Sequence, residues 1–514
     1  MSNPSIHAEN SLVRSASSGI AWTLGGSIAH KAGTAISALI LARILGPSGL
    51  GEYSLIQSTV MMFALYGSFR MGNVAIKHIA QYQASDKPKC ARILRLALSA
   101  SLVTCSIVAL LMLAFASPIA SRMLGAPHLT TEISIGAVLL FFSTYTTILQ
   151  VTLTGFKNFR SSAAFSFVRG ILTPILCPLL AWFWGVSGAL LGLTIIAVVV
   201  MPSLIRSLSK EKQKAGLAAH VPIREAMQEL QVLWTFALPG FLCLLLVTAS
   251  TWLAKCWLVR IGNFEQLGLF EAAGQWCTLI LFIPAILSRV MLPFLSERQK
   301  SSQTKNYRDA FALQLRITLL LTSPLAVALI VFSEVTMRLY GNAFVASAQL
   351  MPFIVGAGLL RTLNETVRLV YESKSRLWLG LLMYAGWAAT LIGVTLGTVD
   401  SLAATGFAVA TLLAELVLLM LNIATIEYAI MPRLFSPHLR LTLAMIALLA
   451  LASIVSRFCP APWSLIVGSG IFAASVTPTI HSFRMQLARP QTILRIAHSE
   501  ILGLLRTFMA RVRS

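Results

Sequence analysis

Acids are the scarcest chemical resource of this chain: 18 Asp and Glu stand against 40 Lys and Arg among 514 residues, and charged residues of every kind make up only 11%. No Asp or Glu lies well inside an apolar stretch of the first half, where Glu52 and Glu132 sit near ends and Asp86 falls in a polar break. Binding an extruded cation needs embedded negative charge, so this scarcity argues against a cation-coupled drug antiporter. The seven cysteines lie mostly within apolar runs, without metal-ligand or disulfide spacing, and read as packing residues. There is no P-loop and no Ser/His/Asp set, and the longest polar stretch, about 208–229, is Lys-rich and lacks a core of its own. An ATP-hydrolysing enzyme is therefore disfavoured, as is a membrane-embedded glycan polymerase, which needs a sizeable outside loop. No cofactor is expected.

What the chain has in abundance is apolar surface: 57% of its residues are hydrophobic and the mean hydropathy is +0.79. That composition belongs to an all-α integral membrane protein. Apolar runs of about 20 residues between polar breaks predict about 14 transmembrane helices. With the N-terminus inside, about 27 of the 40 basic residues fall in cytoplasmic segments and about five outside. Both termini are then cytoplasmic, and the net charge of +22 reflects this inside bias, with no call for nucleic acid. The first residues are polar, include Glu9 and lead into a full-length apolar stretch, so the first helix is expected to start insertion itself. At the other end, residues 484–514 place Ile493, Ile496, Ile501, Leu504 and Leu505 among Arg495, Arg506, Arg511 and Arg513. This is the pattern of a basic amphipathic cytoplasmic tail lying on anionic membrane lipids.

The chain also repeats itself. Arg43, Ile44, Leu50, Gly51 and Tyr53 precede Arg260, Ile261, Leu267, Gly268 and Phe270 by 217 positions, and Arg122 and Gly125 precede Arg338 and Gly341 by 216. Six helices separate the copies, an even number, so the two bundles share one orientation about an axis along the membrane normal. The expected organisation is a six-helix bundle over 1–227, a repeated six-helix bundle over 228–435, an extra helix pair over 436–483, and the tail. Two like bundles flanking a cavity can rock between inward-open and outward-open states. Pro239 and Gly240, at the start of the second copy, are the expected hinge.

Seven basic side chains lie inside the spanning stretches: Lys31, Arg70, Arg169, Lys255, Arg289, Arg361 and Arg368. Facing lipid, at about 2.5 to 3.5 kcal/mol each, they would cost roughly 20 kcal/mol, so they are expected to face a shared polar interior that receives an anion. Tyr66, Arg70, Asn73 and Lys77 recur at helical spacing and predict one polar face of the second helix. Arg289 falls two residues from the repeat equivalent of Arg70, giving opposed guanidinium groups suited to bidentate binding of a diphosphate. Arg361, Glu365 and Arg368 are spaced four and three apart and form a candidate triad. It can satisfy itself, or Glu365 can switch its partner as the bundles move. Glu415, on a face with Thr411 and Asn422, is either a coupling site for a proton or sodium ion or a link between helices. Arg169 ranks last, because it can snorkel to the cytoplasmic surface.

The segment Leu41-Ala42-Arg43-Ile44-Leu45-Gly46-Pro47-Ser48-Gly49-Leu50-Gly51-Glu52-Tyr53 resembles the A-R-x-L-G-x-x-x-x-G-x-Y pattern of polysaccharide flippases of the Wzx type, in the multidrug/oligosaccharidyl-lipid/polysaccharide exporter superfamily. Through the repeat, the resemblance extends over roughly the first 430 residues. It implies translocation of an undecaprenyl-pyrophosphate-linked oligosaccharide across the bacterial inner membrane, with a polysaccharide polymerase and a chain-length regulator as expected partners. It also implies that Arg43, Gly46, Gly51, Arg260 and Gly268 are structural, forming tight outer turns. The peptidoglycan lipid precursor, which also carries a pyrophosphate, is the alternative substrate.

Overall fold

A computed structural model describes residues 4–83, 85–217, 222–229, 238–300, 304–373 and 377–430. The expected helix pair over 436–483 and the tail over 484–514 lie outside these residues. Among the described residues all regular structure is helical, and seven helices are long and apolar enough to cross a membrane. The first repeat comprises α1 (Pro4–Ser68), α2 (Met71–Tyr82), α3 (Lys87–Ala114), α4 (Thr130–Gly155) and α5 (Phe159–Lys214). The second comprises α6 (Leu238–Gly262), α7 (Phe264–Lys300), α8 (Thr304–Val331), α9 (Met351–Ser373) and α10 (Leu377–Thr425).

Local chemistry sets several of these ends. Asp86 accepts from the Lys89 amide at 2.9 Å ahead of α3, and Asn158 accepts from the Ser161 amide at 3.0 Å ahead of α5. Three long helices are interrupted within their span: α1 at Gly46 (φ 67°), α5 at Trp184 and Gly185 (φ 56° at the glycine), and α10 at Ala403 (φ 47°). The arms of α5 fold back on each other, with Gly188 against the Leu180 carbonyl and Gly192 against the Cys177 backbone. In α10 the Thr425 hydroxyl reaches the Met383 sulfur at 3.2 Å.

The duplication seen in sequence reappears in the backbone dihedrals. Gly46 is matched 217 positions on by Asn263 (φ 91°), Gly125 (φ 68°) 216 on by Gly341 (φ 126°), and Gly185 218 on by Ala403. Left-handed conformation is costly for residues with a side chain, so its recurrence at these shifts reflects one template used twice. The repeats also touch reciprocally. A Cβ on Gly51 would overlap the Phe264 carbonyl, and a Cβ on Gly268 would overlap the Pro47 carbonyl, the symmetry-equivalent contact. Arg43 donates through Nε to the Leu339 carbonyl at 2.9 Å, while Arg260 donates through Nη2 to the Arg122 carbonyl at 3.2 Å. Of the motif residues expected in tight turns, Gly46 makes one. Gly51 and Gly268 instead let the two repeats cross, because only a residue without a Cβ permits that approach.

The second helix differs from expectation. It breaks between Ser68 and Met71, where Phe69 (φ 39°) and Arg70 (φ 55°) are left-handed, so Tyr66, Arg70, Asn73 and Lys77 do not form one continuous stripe. Gly67 and Ser68 are weak helix formers, and the break is held from the other repeat. The Phe241 ring lies 4.8 Å from Phe69 and 5.8 Å from Tyr66. A shared apolar core, including Leu55, Ile133, Trp252, Leu258, Trp387 and Phe407, joins the repeats.

Candidate functional site: the charged interior

The basic groups of the first repeat gather where α1 meets α5. Gly33 and Gly170 face each other so closely that a Cβ on Gly33 would collide with the Gly170 carbonyl, and a Cβ on Gly170 with that of Ala29. This close approach sets His30 within electrostatic reach of both Arg169 and Lys31. Arg169, ranked last from sequence, is half-buried in this group. The Lys31 ammonium lies 4.7 Å from the centre of the Phe282 ring of α7, a cation-π contact between repeats. Arg70, raised on its left-handed turn, donates through Nη1 to the Gly240 carbonyl at 3.2 Å.

Pro239 and Gly240 lie at the start of the described part of α6. Gly240 is thus both part of the expected hinge and the acceptor for Arg70, and a Cβ there would press on the guanidinium. Arg289 belongs to α7, but its side chain lies outside the described residues.

In the second repeat the cations are accompanied by acids. Lys255 on α6 pairs with Glu271 on α7 at 2.7 Å and donates to the Ser58 hydroxyl on α1 at 2.8 Å. Arg368 makes a two-nitrogen contact with Glu365 Oε2, at 2.9 Å from Nε and 2.8 Å from Nη2. Arg361 does not close the expected triad. Among the described residues it makes no ion pair; its side chain is exposed and acts over distance on the Glu415 carboxylate.

Glu415 itself is only 5% exposed. Asn364 on α9 donates to its Oε2 at 2.9 Å and to its backbone carbonyl at 3.0 Å, and Asn422 donates to Asn364 Oδ1 at 3.1 Å. This carboxylate therefore sits in an amide network between α9 and α10 and links those helices whatever else it does.

Sequence reasoning missed Glu271, Ser58 and Asn364. Asn364 is 51 positions from Glu415 and Ser58 is 197 from Lys255, so no helical spacing connects them. Glu271 could have been noticed as an acid within an apolar stretch of the second half, the same signal that marked Glu365 and Glu415.

A family model described as polysaccharide biosynthesis protein matches residues 40–349, more than half of the chain. The EPS I polysaccharide export inner membrane protein EpsE of Ralstonia solanacearum is 24% identical over 285 residues, spanning 55% of this chain and 63% of that relative. EpsE of Ralstonia nicotianae is 22% identical over 380 residues, spanning 72% of this chain and 84% of the relative. Among solved structures, the lipid II flippase MurJ in an inward closed conformation superposes with a TM-score of 0.68 at 15% identity, covering 91% of this chain and 99% of that one. At that identity the likeness establishes the fold.

Proposed function

Because the chain belongs to the polysaccharide biosynthesis protein family, we propose that it is a flippase carrying a lipid-linked glycan from the inner to the outer leaflet of the bacterial cytoplasmic membrane. The cargo is an undecaprenyl-pyrophosphate-linked oligosaccharide, a repeat unit of O-antigen, capsule or exopolysaccharide. The observation that carries this reading is the group His30, Lys31 and Arg169, with Arg70, inside a membrane bundle whose first-repeat acids Glu52 and Glu132 pair with other side chains, His128 and Ser187. A diphosphate presents several anionic oxygens to such a group through charge-assisted hydrogen bonds. The prenyl tail stays in lipid, and no bond need be broken.

The reading includes a direction and a cycle. The end rich in Lys77, Lys87, Arg92, Arg95 and Arg206 faces the cytoplasm, together with both termini. The crossing at Gly51 and Gly268 then closes the periplasmic side, and the Arg70 contact with Gly240 joins the repeats nearer the cytoplasm. Alternating access opens one set while the other holds, with Pro239 and Gly240 as hinge. Glu415, with Glu365 nearby, is the site for a coupling proton or sodium ion, since a buried acid in an amide network can exchange its bound cation as the helices shift. Arg361 and Arg368 complete the basic lining, Arg289 is a candidate from the sequence alone, and a polymerase and chain-length regulator receive the product.

A deletion strain complemented with Arg70→Ala tests the proposal. Loss of surface glycan with normal membrane insertion, and accumulation of the lipid-linked unit on the inner leaflet, is the expected result. Unpolymerised units outside would indicate polymerisation instead. The fold shared with a lipid II flippase favours one second reading, transport of the peptidoglycan precursor. Rescue of cells depleted of their own precursor flippase would establish that alternative.

A further inference from the structure

The pair of Lys255 and Glu271 stands apart from the rest of the interior because it joins three helices and has no counterpart in the first repeat. The ammonium lies 2.7 Å from Glu271 Oε1, with side-chain exposures of 13% and 18%. The ammonium also donates to the Ser58 hydroxyl at 2.8 Å, so one lysine ties α6 to α7 by charge and to the other repeat through Ser58. One turn away on α6, the Trp252 indole donates to Thr59 at 2.9 Å, in full burial. Shifted by 217 positions, Lys255, Glu271 and Ser58 correspond to Ala38, Ser54 and Gln275. The fold is thus built once without this pair.

A buried ion pair is a poor means of stabilising a bundle, because desolvation offsets most of its attraction and apolar residues of like size serve as well. It does hold a cation in a defined place with an internal anion upon it. Ser58 lies two helical turns, roughly 10 Å, along α1 from the Gly51 crossing, so whatever loosens Lys255 acts close to where the repeats meet.

Resting on the flippase reading, we propose that Glu271 is a resident counter-ion which the diphosphate head of the cargo displaces from Lys255. With the cargo's anion on the ammonium, Glu271 no longer ties α7 to α6 and the Ser58 bond to α1 is given up. Loading of the head group thereby releases the contacts that hold the Gly51 and Gly268 side shut. Glu271 acts through Lys255 and is a positioning residue, while Lys255 touches the cargo.

The two halves of the pair should then change affinity in opposite directions. Undecaprenyl diphosphate is titrated into the purified full-length protein in lipid nanodiscs. Glu271→Gln is expected to tighten binding about tenfold and Lys255→Gln to weaken it about tenfold, the change of one charge-assisted contact. Glu334→Gln removes the same unit of charge from the same repeat and is expected to leave affinity within about twofold of wild type, since its pair with Arg338 is exposed and worth little. Should Glu271→Gln not reach the membrane, Glu271→Asp is expected to move affinity the same way by less. Weakened or unchanged binding in both Glu271 variants, or equal tightening by Glu334→Gln, would overturn the displacement. Wild-type protein that binds no undecaprenyl diphosphate would overturn the flippase reading itself, so the two failures are distinguishable.

Discussion

The two repeats share a backbone plan and differ in how they treat charge. In the first, His30, Lys31 and Arg169 cluster at the crossing of α1 and α5, with Lys31 over an aromatic ring and Arg70 on a backbone carbonyl of the other repeat. In the second, Lys255 is matched by Glu271, Arg368 by Glu365, and Glu415 is buried among amides. The backbone geometry recurs while the side chains differ, and in the proposed reading the first half receives the anion and the second supplies the exchangeable network. Such a division suits a carrier of an anionic head, because the receiving half need not change its charge while the other half responds.

The strongest challenge to this contrast is to remove one basic group from each half. Arg70→Ala should reduce glycan export at least tenfold, given about 1.5 to 3 kcal/mol for a hydrogen bond to a charged group. Arg368→Ala should reduce it less, since its partner Glu365 is only part-buried. Quantified surface glycan at matched membrane levels decides, and equal losses would erase the distinction between halves.

Geometry, in contrast with charge, should behave symmetrically. Gly51→Ala and Gly268→Ala each place a methyl group on a backbone carbonyl of the other repeat, so both should open the crossing and raise maleimide labelling of a cysteine introduced at Gln57 severalfold from the periplasmic side. A response to only one of the two would show that the crossing is not shared evenly.

The second repeat can be probed at Glu415. Glu415→Ala removes the side-chain acceptor of the Asn364 amide, leaving it only the backbone carbonyl, and should destabilise the protein by about 1 to 3 kcal/mol, seen as a lower Tm in detergent. Glu415→Gln keeps an acceptor and should preserve most of the Tm while removing the dependence of transport on a proton or sodium gradient. Gradient dependence that survives Glu415→Gln would take coupling away from this residue.

The smallest effects belong to the reciprocal arginines. Arg43→Gln and Arg260→Gln each lose one exposed bond to a carbonyl and should cost about 0.5 to 1.5 kcal/mol. They share no partner, so the double variant should sum to within about 0.5 kcal/mol. A thermal-shift series on the two singles and the double checks this.

The contrast was only partly readable from the sequence. The helical class and the offset near 217 were, because hydropathy and repeated Gly and Arg positions are local signals that survive without contacts. The break at Phe69 and Arg70 was not, since helical spacing continues through it and its cause, the Phe241 ring with the Gly240 carbonyl, comes from the other repeat. The same reason hid Glu271 behind Lys255: partners on different helices leave no periodicity. Arg169 ranks last in sequence because it can snorkel to the cytoplasmic surface; that the Gly33 and Gly170 contact sets it beside His30 is a tertiary fact without a sequence signal. The supposed triad failed for a related reason. Spacing of four and three allows Arg361, Glu365 and Arg368 to meet, but the geometry gives Glu365 to Arg368 alone among the described side chains.

The central claim is that the basic interior recognises an anionic lipid head, and reconstituted vesicles test it most directly. Two undecaprenyl-linked oligosaccharides of the same sugar composition, one joined through a diphosphate and one through a neutral ether, are placed in the starting leaflet and their appearance in the other is timed. The account predicts protein-dependent movement of the diphosphate form, lost in Arg70→Ala, and none of the neutral form. Equal rates for the two lipids, unaffected by Arg70→Ala, would contradict it.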